Sequence, residues 1–159
     1  MKIICQTDES VEIVGETLVG AHLDGMGLHR ALLDGQAMQG ASLVGTDLRG
    51  ASLTGANLSQ TNLQRASLIT AFLMKASLQG ADLRDCRAIN CHFDEANLEQ
   101  ANLDGADVSG ANFNNARILG ARLNCQRIES ASFKGAVFDR STVWPAGFDP
   151  VKAGAILHT

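Results

Sequence analysis

Two cysteines and a histidine lie close together in the segment DCRAINCHF, residues 85–93. Cys86, Cys91 and His92 are residue types that hold zinc when three or four such ligands converge on one point. The same two thiols could instead form a disulfide. Which of these chemistries is open to the segment depends on how the surrounding backbone directs the three side chains.

Seven acidic residues form a second cluster, which we term the acidic belt. Its members are Asp82, Asp85, Asp94, Glu95, Glu99, Asp104 and Asp107. Such a belt favours a positively charged partner. The alternative is that the charges keep an exposed β-surface soluble and prevent its edges from pairing. Arginines within and after the belt, such as Arg84 and Arg117, weaken its field.

Composition limits the kind of molecule that carries these residues. The chain has 159 residues, 45% hydrophobic but only 4% aromatic, so we expect one domain with an aliphatic core. A net charge of −4 argues against direct nucleic-acid binding. Apolar runs are too short for a membrane helix or a signal peptide. We therefore expect a cytoplasmic protein with reduced cysteines and no membrane partner.

A five-residue period dominates the chain. Written in fives from Val11, the sequence gives 28 consecutive units over residues 11–150 without an insertion. The third position is a large apolar residue in 27 units, with Ala88 as the exception, and the first position is Ala in 18. This period fits neither a helix nor an ordinary strand. A chain that turns about 90° per unit closes a square coil after four units and buries every third position.

Glycine marks the corners of this coil. Thirteen of the 16 glycines occupy the fifth position of a unit, where a type II turn needs a positive φ. In the middle of the chain, larger residues such as Gln60, Thr70 and Asp85 take that position. We expect a different turn there, because residues with a Cβ adopt the type II conformation only at a cost.

Units such as ADLRD, ANLDG and ASLTG resemble the A(D/N)LxG motif of the pentapeptide repeat family, and the resemblance covers about nine tenths of the chain. It implies an all-β fold, a right-handed quadrilateral β-helix, here of about seven coils. In that fold the third and first positions point inward, and the other three face solvent. Family members are numerous in cyanobacteria, so the resemblance favours such a host.

The repeat frame predicts columns of side chains, because equivalent residues of successive coils stack. Phe93, Phe113 and Phe133 fall in one central column, where we expect their rings to stack with an offset. Val143 continues the central column that contains Leu23.

The two ends of the rod need closing segments, because an open coil exposes apolar side chains and unpaired backbone. Ile3 begins a strand that leads into the first coil. We divide the chain into a β-helix domain, residues 1–150, and a C-terminal cap, residues 151–159. Asp149, just before the cap, is expected to begin a short helix that runs through Ala155.

Apolar residues at solvent-facing positions form a candidate partner-binding site, which we term the apolar patch. Its members are Leu32, Ile69, Phe72, Met74, Ile89 and His92. A contiguous apolar surface is typical of a binding site, and the ring of Phe72 is costly to leave in water. The alternative is that single exposed apolar residues are ordinary and have no binding role.

The repeat frame also predicts where the side chains of the cysteine segment point. Cys86 and Cys91 occupy first positions and point inward on adjacent sides, whereas His92 occupies a second position and points out. We therefore expect neither a metal nor a disulfide. Ala88 removes most of a leucine from the core, which alone would leave a costly void. The two sulfurs and Phe93 restore much of that volume.

These observations favour a non-enzymatic protein-interaction scaffold with no cofactor. A rod filled by leucine offers no pocket in which polar groups converge, and its flat faces suit a protein partner, which the sequence does not identify. We expect a monomer or a weak dimer. The family resemblance, together with the acidic belt, adds an alternative: a DNA mimic that modulates DNA gyrase or topoisomerase.

Overall fold

The structure is a computed structural model, which describes residues 1–6 and 10–159. Four segments are longer than a single bridge and form short strands: β1 (Lys2–Ile4), β2 (Ser10–Glu12), β3 (Val137–Phe138) and β4 (Ile156–Leu157). One 3-10 helix spans Ile128–Ser130. Most of the remaining chain repeats one bridge and one turn every five residues. The fold is therefore a β-helix whose sides are single bridges rather than long strands.

Backbone hydrogen bonds hold each coil to the next. The N–H of Leu23 donates to Ser42 O at 2.8 Å, and the N–H of Ser42 donates back to Ala21 O at 2.9 Å. Within a coil, the N–H of Ala41 closes a turn on Met38 O at 3.1 Å. Because this pattern repeats along the regular coils, the backbone polar groups of the sides are paired there without extended strands.

Four columns of bridges run along the rod. One column has seven levels: His22, Ser42, Asn62, Asp82, Asn102, Arg122 and Val143. The columns that start at Gly27, Leu32 and Ala37 have six, and β4 extends the last of these by pairing in parallel with β3. β2 occupies residues that the repeat frame assigns to the first coil, so the regular coils begin later than the frame predicts.

The coil register slips twice near the C-terminal end. Asp107 pairs with Gln126, one residue short of the usual spacing, and Arg122 pairs with Val143, one residue beyond it. Val143 consequently takes a second position and is 38% exposed. The predictions that the repeat has no insertion and that Val143 lies in a central column are therefore wrong.

The extra residue is accommodated in a tight turn around Asp139. Its Oδ1 accepts the N–H groups of Ser141 at 3.0 Å and Thr142 at 3.1 Å, and the N–H of Gly120 on the coil below at 3.1 Å. The Ser141 hydroxyl, the N–H groups of Gly120 and Ser141 and the Thr142 hydroxyl lower the pKa of Asp139 to about 2.

The core is built as the frame predicts along the regular coils. Leucine and alanine side chains of the third and first positions are buried there, except for Ala21 and Ala131 toward the two ends, which are partly buried. The rings of Phe93 and Phe113 stack at 4.8 Å, and those of Phe113 and Phe133 stack at 4.9 Å, which confirms the predicted ladder. Trp144 then meets Phe133 edge-on at 5.3 Å and closes the ladder.

The corners keep one backbone conformation whether or not glycine is present. φ is 58° at Gln60 and 55° at Thr70, close to the 67° of Gly55. The N–H of Gln60 donates to Gln79 O at 2.9 Å, and Gly55 makes the equivalent bond to Met74 O at 2.9 Å. The different turn predicted for these positions is therefore not formed, and the larger residues bear the strain of a left-handed backbone.

A hairpin closes the N-terminal end. β1 pairs antiparallel with β2, and on its other edge Cys5 forms an antiparallel bridge with Ala31. The N–H of Leu32 donates to Ile4 O at 2.7 Å. Ile3 is 2% exposed, so it plugs the end of the core. The strand predicted at Ile3 is present, but it runs antiparallel to the coil instead of leading into it.

Turns over residues 150–154 take the place of the predicted C-terminal helix. Asp149 Oδ1 accepts the N–H groups of the second and third residues after it, both at 3.1 Å, as the predicted N-cap would. Gly154, at φ 92°, then reverses the chain into β4 before a helix can continue through Ala155. No helix in the described part of the chain is long and apolar enough to cross a membrane.

Candidate functional site

The cysteine segment points its thiols inward and its imidazole outward. Cys86 is 1% exposed, Cys91 is buried completely, and neither forms a disulfide. The Cys91 thiol donates to Ala71 O at 3.5 Å. The ring of His92 lies on the surface and stacks on Phe72 at 5.1 Å. Among the described residues, no group of three or more His, Cys, Asp or Glu side chains is placed to hold a metal ion.

Burial makes these thiols poor nucleophiles. It raises the pKa of Cys86 and of Cys91 well above the ordinary value, and it raises the pKa of Cys125 to about 12. A thiolate is the reactive form of cysteine. At neutral pH the three side chains therefore act as small apolar residues, and Cys86 and Cys91 lie in the same coil as Ala88, which is buried completely.

Side chains of the same chain neutralise most of the acidic belt. Five of its seven carboxylates lie within 4 Å of a lysine or arginine nitrogen: Asp82 with Arg84, Glu95 with Lys75, Glu99 with Arg117, Asp104 with Arg122, and Asp107 with Arg127. Asp94 lies 3.8 Å from His92 Nδ1. The structure thus brings the belt together as a set of ion pairs rather than as a continuous negative surface.

Two belt carboxylates also hold the local backbone. Asp82 accepts hydrogen bonds from the Arg84 side chain, which lower its pKa, and from the Arg84 N–H at 3.2 Å. Burial raises the pKa of Asp107, but hydrogen bonds from Ser109 and the charge of Arg127 bring it below the ordinary value. These two acids therefore have a structural role that accounts for their presence without a partner.

The apolar patch divides into separate groups. Phe72, Met74 and His92 lie on one face, where Phe72 is 37% exposed and its ring is nearly parallel to that of His92. Met74 and His92 line a shallow depression on this face, and Lys75, which pairs with Glu95 at 3.8 Å, lies at its edge. Phe72 is the only exposed phenylalanine among the described residues.

The other three patch residues lie apart from this group. Leu32, 44% exposed, is in the column of Phe72 but is separated from it by Ser52. Ile69 is half-buried in a different depression beside Arg30 and Arg49. Ile89 is half-buried as well. The predicted patch is therefore not one contiguous surface.

The polar pair formed by Ser52 and Asp34 beside Phe72 is not among the sites predicted from the sequence. Ser52 Oγ donates to Asp34 Oδ1 at 2.6 Å, and the N–H of Thr54 donates to the same oxygen at 3.0 Å. The sequence does contain the signal, because Ser52 falls midway between Leu32 and Phe72 in their column.

Matches to known proteins agree with this geometry. The family model described as "Pentapeptide repeats" matches in eight copies, over residues 17–55, 28–64, 51–87 and 91–124, which together make up more than half of the chain. The chain belongs to the pentapeptide repeat family. The matched ranges leave out residues 88–90, which include Ala88. A search of curated protein sequences gives no match.

Solved structures of pentapeptide repeat proteins resemble this chain. A protein from the thylakoid lumen of Arabidopsis thaliana is 31% identical, with a TM-score of 0.53 over 55% of this chain and 61% of that one. The present chain thus spans less than two thirds of that relative. HetL, involved in heterocyst differentiation regulation in the cyanobacterium Nostoc, is 23% identical, with a TM-score of 0.49 over 88% of this chain and 80% of its own.

QnrB1, a plasmid-mediated fluoroquinolone resistance protein, is 17% identical, with a TM-score of 0.46 over 92% of this chain and 86% of its own. Of these three likenesses, the Arabidopsis structure supports the assignment of the fold. A quadrilateral, right-handed β-helix is the architecture of this pentapeptide repeat chain.

Proposed function

We propose that this pentapeptide repeat protein is a non-enzymatic scaffold that binds another protein on the face that carries Phe72. The observation that carries the proposal is the Phe72–His92 stack, whose ring centroids lie 5.1 Å apart with an interplanar angle of 8°. A ring held in place by its neighbour loses little freedom on binding, and rigid aromatic anchors dominate many interfaces.

The surroundings of the stack support the same function. The column continues with the polar residues Asn112 and Ser132 beyond His92 and with Ser52 before Phe72, so the aromatic pair has polar neighbours in the column on both sides. An apolar centre with a polar rim is the usual composition of a protein interface. The buried thiols fit a reducing compartment such as the cytoplasm, where we propose that the protein acts as a monomer or weak dimer.

A DNA mimic receives less support. Mimicry of a duplex needs a continuous negative surface, and five belt carboxylates are paired with cations of the same chain. A gyrase supercoiling assay separates the two functions, and we expect no inhibition or protection at micromolar protein. A change in supercoiling activity at that concentration would favour the mimic instead.

The scaffold is tested by affinity capture from an extract of the native host. Phe72→Ser should lose the partner that the wild-type protein retains, because it removes the aromatic anchor without touching the core. Val143→Ser is the matched control, since Val143 is 38% exposed, about as much as Phe72, but lies at the C-terminal end. Equal recovery of every retained protein by wild type and Phe72→Ser would contradict the proposal.

A further inference from the structure

A gap of one coil interrupts the apolar column beside Phe72. Leu32 bridges to Ser52, and Ser52 bridges to Phe72, so a small polar residue separates two exposed apolar side chains. Neighbouring strands lie about 4.8 Å apart, which places Leu32 and Phe72 about 9.6 Å apart along the rod. A planar group needs about 3.5–4.0 Å to the atoms on either side. The space above Ser52, which we term the Ser52 slot, therefore admits one planar group.

The ring of Phe72 forms one wall of this slot. Its centroid lies 5.1 Å from that of His92 with an interplanar angle of 8°. His92 covers one face of the Phe72 ring. On the other side the column continues with Ser52, which has no ring. Phe72 is 37% exposed and has no second stacked ring among the described residues, so a further planar group can pack against it.

Asp34 supplies a carboxylate at the side of the slot. Its Oδ1 accepts the Ser52 hydroxyl at 2.6 Å and the Thr54 N–H at 3.0 Å, which fixes the orientation of the carboxylate. Its Oδ2 has no hydrogen-bond partner in the described part of the chain, and no lysine or arginine there pairs with it. Asp34 is exposed, so this oxygen is accessible to a partner.

The chain shows elsewhere what such a carboxylate accepts. Asp47 receives Arg49 Nε on Oδ1 at 2.8 Å and a terminal nitrogen of the same guanidinium on Oδ2 at 2.6 Å. Asp104, which like Asp34 is the fourth residue of its unit, receives Arg122 Nε on Oδ2 at 2.7 Å from 18 residues further along the chain. The residue 18 positions after Asp34 is Ser52, so Asp34 Oδ2 is in the situation of Asp104 Oδ2 without a cation.

We propose that the Ser52 slot binds the guanidinium group of an arginine side chain presented by a protein partner. The inference rests on the scaffold function and specifies the chemistry of the partner. A guanidinium is planar and positively charged, so it stacks on the open face of Phe72 while it donates to Asp34 Oδ2. A lysine ammonium makes the charge contact but cannot stack as a plane. A neutral aromatic side chain stacks but leaves the carboxylate unpaired.

The neighbouring face of the rod provides a matched control. Asp24 Oδ1 accepts the Ser42 hydroxyl at 2.6 Å and the Val44 N–H at 2.8 Å, as Asp34 does with Ser52 and Thr54. The next residue of the column after Ser42 is Asn62, which has no ring. The Asp24 site thus has the same carboxylate geometry, but the ring next to its serine is His22 on the N-terminal side, where the Ser52 slot has Leu32, and no ring takes the place of Phe72.

The test is a titration followed by two-dimensional ¹H–¹⁵N NMR with three blocked tripeptides, acetyl-Gly-Xaa-Gly-amide, in which Xaa is Arg, Lys or Phe. The arginine peptide should shift the amide signals of Ser52, Thr54 and Phe72 and bind about two- to fivefold more tightly than the lysine peptide, as expected for one exposed stacking contact. The phenylalanine peptide should bind more weakly than the arginine peptide.

Two variants of the slot complete the test. Asp34→Asn keeps an oxygen for Ser52 and Thr54 but removes the charge, so arginine binding should weaken about fivefold. Ser52→Leu fills the slot and should abolish binding. Asp24→Asn and Ser42→Leu, made on the neighbouring face, should leave binding unchanged. Preserved NMR spectra of all four variants show that each remains folded.

Three results would overturn the inference: equal binding of the arginine and lysine peptides, tighter binding of the phenylalanine peptide, or no effect of Asp34→Asn. Each leaves the scaffold open to its own test. If Phe72→Ser loses a captured partner while the arginine peptide fails to bind, the scaffold stands and the arginine slot falls. If the peptide binds but capture does not depend on Phe72, the slot stands and the scaffold falls.

Discussion

At Ala88 the column of large core residues is interrupted, and the adjacent side chains change with it. Cys86 and Cys91 replace the alanine usual at first positions, and Phe93 replaces leucine in the next unit. All four side chains are buried, at 1% exposure or less. A void the size of several methyl groups is costly, so the added volume of sulfur and phenyl offsets the loss at Ala88.

Replacing both thiols should expose this compensation. The Cys86→Ala/Cys91→Ala double variant should lower the free energy of unfolding by about 1–3 kcal/mol, because two buried groups are removed from a core that is already short of volume. Urea denaturation followed by circular dichroism measures the change. Adding Ala88→Leu to the double variant should recover part of the loss. The metal content of the purified protein should be the same in all three, and a metal lost with the cysteines would contradict this assignment.

The sequence predicts the direction of a side chain better than its contacts. The strict period places Cys86 inward and His92 outward, and the structure agrees. The pairing of the acidic belt is not predictable in the same way. Arg117 reaches Glu99 at 2.7 Å from the next coil, whereas Arg84 reaches Asp82 within its own unit. Which partner a long side chain selects depends on its conformation rather than on the frame.

Among the structural elements, the corner turn shows a conflict between local preference and the repeat. Thr70 is β-branched and has a φ of 55°, a conformation that such residues rarely adopt. The N–H of Thr70 still donates to Ile89 O at 2.9 Å, as glycine does at the other corners. Hydrogen bonds to the adjacent coils therefore impose the left-handed conformation, and the expected change of turn does not occur.

Relief of this strain should stabilise the protein. We expect Thr70→Gly to raise the free energy of unfolding by about 1 kcal/mol, the cost of a left-handed conformation for a residue with a Cβ. Gly55→Thr is the reverse substitution at a corner where an added Cβ meets nothing within 4 Å, and it should lower stability by a similar amount. Chemical denaturation of both variants measures the pair. A loss of stability in Thr70→Gly would mean that its side chain contributes more than its backbone costs.

Apart from the corner turns, the errors in the sequence interpretation of the fold lie in elements that depart from the repeat. The insertion around Asp139 is hidden because the unit STVWP still shows an apolar residue at its third place. Only the coil-to-coil pairing shows that Val143 lies opposite Arg122. In the same way, Asp149 gives a valid N-cap signal, but Gly154 and the pairing of β4 with β3 prevent a helix.

At the scale of the whole molecule, stability comes from contacts between adjacent coils. In such a solenoid each level is held by the level above and below, so the two ends are the weakest points. β1 closes one end through Ile3, which is 2% exposed. At the other end, β4 covers β3, and Trp144 and Phe148 lie over the phenylalanine ladder.

Loss of the N-terminal plug should loosen that end first. Ile3→Ala should lower the free energy of unfolding by about 2 kcal/mol or more, since it removes a buried side chain that faces the first core leucines. Hydrogen exchange should become faster for amides near Leu23 and Leu28 and stay slow near Phe113. Ile4→Ala is the control, because Ile4 is 48% exposed on the same strand, and it should change stability by less than about 0.5 kcal/mol. Uniform loss of protection along the rod would contradict the end-first view.

Trp144 gives this rod a built-in optical probe. It is the one tryptophan of a chain without tyrosine, so nearly all intrinsic fluorescence arises from a single indole at the C-terminal end. That indole lies edge-on to Phe133 at 5.3 Å and to Phe138 at 5.6 Å. Its emission therefore follows the last coil, whereas the far-ultraviolet dichroism averages over every coil. When the protein is heated, the difference between the fluorescence and dichroism melting temperatures therefore measures how far the C-terminal end opens before the other coils unfold.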